Sequence, residues 1–283
     1  MKRLLQHFEP ILQGEDGTIK TFIQPPTIQS NVLHFVIRED RDMAAIEAEQ
    51  ATPAIFTDGS GRNGVIGIGV TWRDGEMWPM DTYKQLDSII REDEWIKGWQ
   101  TISTKADNNA YVAELTAILK ALEILNSQPA QRRPRKITIL SDCQTAILSI
   151  RKPRYQSGQY LIKKIWKIAR HLYEEGLRIT LQWTPAHEGV IGNEMAHKCA
   201  QKATKEGSQP VGRRIPRLKS KALQKGRQLV HEQMTNSFDN MRFGKFTREL
   251  DRALPGTHMT TVYNQLTTSE AKILASSGRT TLD

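Results

Sequence analysis

The hydrophobic period of this chain changes along residues 53–205 in one fixed order, and that order narrows the possible folds more than any other feature. Three strand-like runs come first: residues 54–57, closed by the turn-like Asp58-Gly59-Ser60-Gly61; a glycine-spaced run over 65–72; and a third over 99–105. Consecutive strands with short links pair antiparallel. Asn108-Asn109 then offers a helix N-cap, and 3- and 4-residue steps place Tyr111, Leu115, Ile118, Leu122 and Leu125 on one helical face. From there strands and helices alternate. A strand over 136–140 precedes a helix over 143–150, capped by Ser141 or Asp142. A long amphipathic helix over 159–175 ends at Gly176, and a strand over 177–183 and a helix over 192–205 follow. The expected architecture is α/β: a five-stranded mixed sheet, three antiparallel strands then parallel ones, flanked by helices.

The flanks are different in kind. Residues 1–52 read as a partly ordered lead-in with one isolated strand over 32–37, too poor in apolar surface to fold alone. Residues 206–283 read as a basic, partly helical tail. Its first part, residues 213–227, carries seven cations and no acid: Arg213, Arg214, Arg217, Lys219, Lys221, Lys225 and Arg227. The net charge of +9 agrees with a polyanionic partner. Two cysteines, Cys143 and Cys199, are too few for a disulfide framework and read as small buried apolar residues. No stretch approaches the roughly 20 apolar residues of a membrane span, and the first residues are interrupted too early for a signal peptide. An intracellular protein, cytoplasmic or nuclear and monomeric, is expected.

Asp58 falls at the carboxyl end of the first strand and Asp142 at that of the fourth, where ligands gather in open α/β sheets. If those strands are neighbours, the two carboxylates converge, and Glu114, one turn into the first helix, completes the cluster. Three converging carboxylates repel one another unless something positive lies between them. A hard divalent cation with oxygen ligands is the natural candidate.

Four motifs in this order, Phe56-Thr57-Asp58-Gly59-Ser60, Ala113-Glu114-Leu115, Leu140-Ser141-Asp142 and Trp183-Thr184-Pro185-Ala186-His187-Glu188-Gly189 with Gly192-Asn193-Glu194, resemble those of the type 1 ribonuclease H domain. The forms most similar lie at the C-terminal end of reverse transcriptases of non-LTR retrotransposons, particularly fungal ones. The resemblance implies a ribonuclease H-like fold and endonucleolytic hydrolysis of the RNA strand of RNA–DNA hybrids by two Mg²⁺ ions. Asp58 would bridge both ions, with Glu114 and Asp142 completing the coordination. His187, on a glycine-flanked loop, would move protons or help product leave, a task suited to an imidazole. Ser60, Asn109 and Asn193, with Arg213, Arg214 and Arg217 from the tail, would contact nucleic acid. A reverse transcriptase would be supplied separately.

The sequence departs from the family pattern at one position. A fourth carboxylate usually stands three residues after the Glu of the Gly-Asn-Glu motif, where this chain has His197. As a metal ligand an imidazole brings a lone pair and no negative charge, which favours Mn²⁺ over Mg²⁺. The alternative function is a catalytically weakened nucleic-acid-binding module. A phosphatase with a strand-end Asp nucleophile is disfavoured, because the position two residues after Asp58 is Ser60.

Overall fold

The computed structural model describes residues 26–73, 75, 86, 88–210, 215–240 and 266–270. Leu12–Lys221 form one compact unit, and the chain from Ala222 onward belongs to another. In the first unit the elements are β1 (Leu33–Val36), α1 (Arg41–Gln50), β2 (Ala54–Arg62), β3 (Val65–Arg73), β4 (Ser88–Glu92), β5 (Trp95–Thr104), α2 (Ala110–Asn126), β6 (Lys136–Ser141), α3 (Gln144–Arg151), α4 (Gln159–Glu174), β7 (Arg178–Trp183) and α5 (Ile191–Lys202). Helix α6, Lys219–Asn240, begins at the end of this unit.

One mixed sheet holds all the described strands, in the order β1-β7-β6-β2-β3-β5-β4. The pairs β2–β3, β3–β5 and β4–β5 are antiparallel, while β2–β6, β6–β7 and β1–β7 are parallel. The mixed α/β fold is thus the expected one, with seven strands where five were expected. The two added strands are short and lie at the sheet edges, where half-paired strands need little apolar sequence. β4 lies within the acid-rich stretch between β3 and β5. β1 is no isolated strand: it pairs in parallel with β7, Leu33 against Ile179.

The Asp58-Gly59-Ser60-Gly61 stretch is not a turn. β2 runs straight through it to Arg62, and the chain reverses at Asn63-Gly64, both with positive φ (46° and 76°). Asn-Gly is the dipeptide that a two-residue hairpin favours, because both positions need left-handed backbone. The glycines of β2 and β3 serve another end, letting helices approach closely. A Cβ on Gly59 would lie 2.5 Å from the Glu114 nitrogen, and one on Gly69 would lie 2.1 Å from the Ala196 oxygen. α2 therefore lies directly on β2 from one face of the sheet, and α5 on β3 from the other.

The main core fills the α2, α3 and α4 face, with Ile55, Trp72, Ile96, Leu115, Leu122, Ile139 and Trp166 all buried. Helix α2 is buried on nearly every side, which exceeds the single face expected of it. A smaller cluster on the opposite face joins α1 to α5 through Ala48, Phe56, Leu140, Val190 and Ala196. Asn109 caps α2 as expected, its side chain accepting from the Val112 N–H at 3.1 Å. Neither Ser141 nor Asp142 caps α3, whose N-cap is Cys143 without a side-chain bond. Ser141 Oγ instead accepts from the Cys143 N–H at 3.2 Å.

Candidate active site

The register explains why the two aspartates meet. Thr57 opposite Ser141 is the last pair of the parallel β2–β6 ladder. Asp58 and Asp142 are each the next residue, so they leave the ladder together on one side. Thr57 Oγ1 donates to the Leu140 carbonyl at 2.8 Å, and the Trp183 indole N–H donates to the Asp142 carbonyl at 3.0 Å. Both bonds fix the backbone under the acids. The Gly59 contact brings α2 close enough for Glu114 to reach the same point. Ligand oxygens of Asp58, Glu114 and Asp142 all lie within 4.8 Å of one another.

This cluster is poorly solvated. Asp58 is 3 % exposed and Glu114 8 %. Burial, then the charges of Asp58 and Asp142, push the Glu114 carboxyl well above its usual range, against bonds from the Gly59 backbone and Ser141. Burial and the Asp58 charge push Asp142 up to about 6, although a bond from the Asn193 side chain and the two nearby histidines oppose the shift. Three all-oxygen ligands that repel one another suit a hard divalent cation, and their burial removes the water that would otherwise screen them. The donor set fits a metal ion of that kind.

His197, on α5, stands on the far side of Asp58. Its Nδ1 is 3.1 Å from Asp58 Oδ2, and its Nε2 is 2.6 Å from the Gln201 amide. The bond to Asp58 raises the imidazole above its ordinary value. His197 thus stands next to Asp58, beside the three acids whose ligand oxygens lie together, with a partner at each ring nitrogen. His187 is 75 % exposed at the side chain and has a left-handed backbone, φ 61°. Its ring lies edge-on to that of His197, with centroids 5.7 Å apart, and its Nδ1 is 3.8 Å from Glu194 Oε1.

The other expected residues divide. Asn193 is buried under Asp142, with its Oδ1 lacking a partner among the described residues. Asn109 keeps a half-buried side chain at the start of α2. Ser60 is turned inward, 7 % exposed, with its Oγ 3.2 Å from Thr204 Oγ1. Arg217 Nε donates to Asp107 Oδ1 at 2.5 Å, which ties the residue to the domain instead of leaving its charge free. Arg213 and Arg214 lie outside the described residues.

Sequence reasoning missed Gln201 and Arg62. Gln201 could have been found, because it lies four residues after His197 on one helical face. Arg62, exposed just before the Asn-Gly turn, acts on His197 through its charge, and it is placed there because β2 continues past Asp58 to Arg62.

Among solved structures, the chain is similar to RNase H1 from the halophilic archaeon Halobacterium salinarum NRC-1, at 19 % identity and a TM-score of 0.35, over 53 % of this chain and 95 % of that one. It is also similar to the N-terminal RNase H domain of a Mycobacterium tuberculosis protein fused to maltose-binding protein, at 18 % identity and a TM-score of 0.36, over 54 % and 98 %. A third, LC11-RNase H1 in complex with an RNA/DNA hybrid, gives 19 % identity and a TM-score of 0.37, over 54 % and 99 %. The family model of RNase H matches residues 50–205, more than half of the 283 residues and the whole of the acidic site, and the chain belongs to the RNase H family.

Proposed function

We propose that this chain hydrolyses the RNA strand of RNA–DNA hybrids, endonucleolytically, with two divalent metal ions held by Asp58, Glu114 and Asp142. The observation that carries the reading is the convergence of three buried carboxylates at the end of the β2–β6 ladder in a chain of the RNase H family. When bound there, the ions would supply an activated water and stabilise the leaving oxygen of the scissile phosphodiester.

The chain's own residues do the rest. Asn193 donates to Asp142 and fixes one carboxylate. His197, held in turn by Gln201, fixes Asp58 from the other side and, when protonated, offsets part of its negative charge. His187, exposed at the rim, exchanges protons with water and the product phosphate. Arg213 and Arg214 meet the hybrid backbone, and the 2′-hydroxyls distinguish RNA from DNA in the shallow minor groove. The motif forms support descent from the terminal domain of a retrotransposon reverse transcriptase, which would act as a separate partner.

A second reading, a hybrid-binding module with weakened chemistry, draws support from His197, which adds no negative charge to the site and engages Asp58 itself. A labelled hybrid incubated with Mg²⁺ or Mn²⁺ separates the two. Cleavage that depends on metal and on Asp58 supports the enzyme; binding without cleavage in either metal supports the module.

A further inference from the structure

We propose that helix α1 is a positioning element for the loop that carries His187, with Arg41 as its latch. The catalytic consequence rests on the reading of His187 as a proton-exchanging group; the latch itself does not.

The loop between β7 and α5 needs such a device. Its ends are anchored, since Thr184, Pro185 and Val190 are buried, but His187, Glu188 and Gly189 are all exposed. Two of these three residues hold left-handed backbone, His187 at φ 61° and Gly189 at φ 76°. No buried side chain therefore fixes the tip, and a non-glycine residue in that region relaxes unless its surroundings hold it.

Arg41 supplies the hold. Its Nε and Nη2 both donate to Glu188 Oε1, at 3.1 and 2.7 Å, and Nη2 also donates to the Ala186 carbonyl at 3.3 Å. One guanidinium thus grips the residues on either side of His187. Farther along the same helix, Glu49 accepts from the Ile191 N–H at 3.2 Å, where the loop enters α5. Glu49 also lies 3.7 Å from Arg73 Nη2, which ties it to β3. α1 itself is firmly seated. Asp40 caps it, accepting from the Met43 N–H at 3.1 Å, Ala44 and Ala48 are fully buried, and β1 just before it pairs with β7.

An exposed ion pair adds little to global stability, so Arg41 has a small effect on folding. Its effect is on the loop's freedom, and so on how often the His187 ring stands beside His197 and Asp142. α1 precedes the family match, sharing only Gln50 with it, so the latch comes from this chain's own lead-in.

Two measurements on the full chain test this. The first is ¹⁵N relaxation of the Glu188 and Gly189 amides in wild type and Arg41→Ala. The order parameters should fall from rigid values near 0.85 to below about 0.6, with the melting temperature nearly unchanged. The second is a double-mutant cycle on hybrid cleavage. Arg41→Ala should lower kcat roughly 3- to 10-fold at constant KM, and add no further loss in a His187→Ala background. The paired swap Arg41→Glu with Glu188→Arg restores the ion pair but not the bond to the Ala186 carbonyl, so it should recover part of the order and of the rate. Unchanged order parameters in Arg41→Ala, or losses that simply multiply with His187→Ala, would overturn the proposal. A wild-type chain that cleaves no hybrid overturns the hydrolase reading, while the relaxation measurement still decides the latch.

Discussion

Asp142 and Glu114 hold their protons more tightly in the folded chain than in an unfolded one, and that sets a sign for stability against pH. Both carboxyls are raised, chiefly by burial and then by neighbouring acids, Asp142 from 3.8 to about 6. The native state therefore binds more protons between those values, and the stability contributed by Asp142 falls as pH rises from about 4 through 6. Asp142→Asn removes the penalty. In the presence of chelator, the variant should match wild type near pH 4 and exceed it by about 3 kcal/mol well above pH 6, measured by urea denaturation. It should lose hybrid cleavage altogether. Adding Mg²⁺ at pH 7 should shrink or reverse the gap, because only wild type gains the full binding energy. A gap that is constant with pH would detach Asp142 from the acidic cluster.

The His197 imidazole contributes a bond to Asp58 where a carboxylate would contribute charge to the ions. Wild type is expected to respond more strongly to Mn²⁺ than to Mg²⁺. His197→Asp should raise the Mg²⁺-supported rate and tighten Mg²⁺ binding, read by calorimetric titration. His197→Ala should lower the Mn²⁺-supported rate. Equal rates in both metals, indifferent to both substitutions, would make the residue a bystander. The three acids were legible in the sequence because their type, order and place at strand ends narrow the chemistry. The partners of Ser60 and Arg217 were not. Thr204 and Asp107 stand 144 and 110 residues away, and only the fold brings such side chains together.

At the scale of elements, β2 shows what local reading confuses. Asp-Gly-Ser-Gly has the composition of a turn, yet Gly59 is required by the close approach of α2. Gly59→Ala would set a methyl group 2.5 Å from the Glu114 backbone nitrogen, against backbone that cannot step aside. The expected cost is about 2–3 kcal/mol, with cleavage reduced further than stability alone explains, because Glu114 moves off the shared metal position. Gly64→Ala meets nothing within 4 Å and strains only the turn at φ 76°, so it should cost about 1 kcal/mol and leave the metal site intact. Denaturation midpoints and metal titrations on the two variants check the contrast. The edge strands were the less legible elements for a related reason. β1 and β4 take their stability from a partner distant in sequence or from a hairpin turn, and neither needs a strong pattern of its own.

For the whole molecule, the question is how a chain with net charge +9 distributes its cations relative to an acidic site. The start of the tail is not a free basic arm. Leu218 is 1 % exposed, its N–H donates to the Asp107 carbonyl at 3.0 Å, and Arg217 grips the Asp107 carboxylate. Cutting the chain after residue 207 would therefore strip a core side chain along with the charges, and the two losses could not be told apart. Replacing Arg213 and Arg214 together by Gln keeps the Arg217 and Leu218 contacts and removes only two cations. If both reach phosphate, two fewer counterions are released on binding, and the slope of log affinity against log salt should flatten by about 1.4–1.8. KM for the hybrid should rise most at low salt, with kcat little changed, since the carboxylates are untouched. Filter binding across a salt series on the double variant decides it. An unchanged slope would assign the polyanion contact to cations of the folded domain, with Arg62, exposed beside the acidic site, the first to replace.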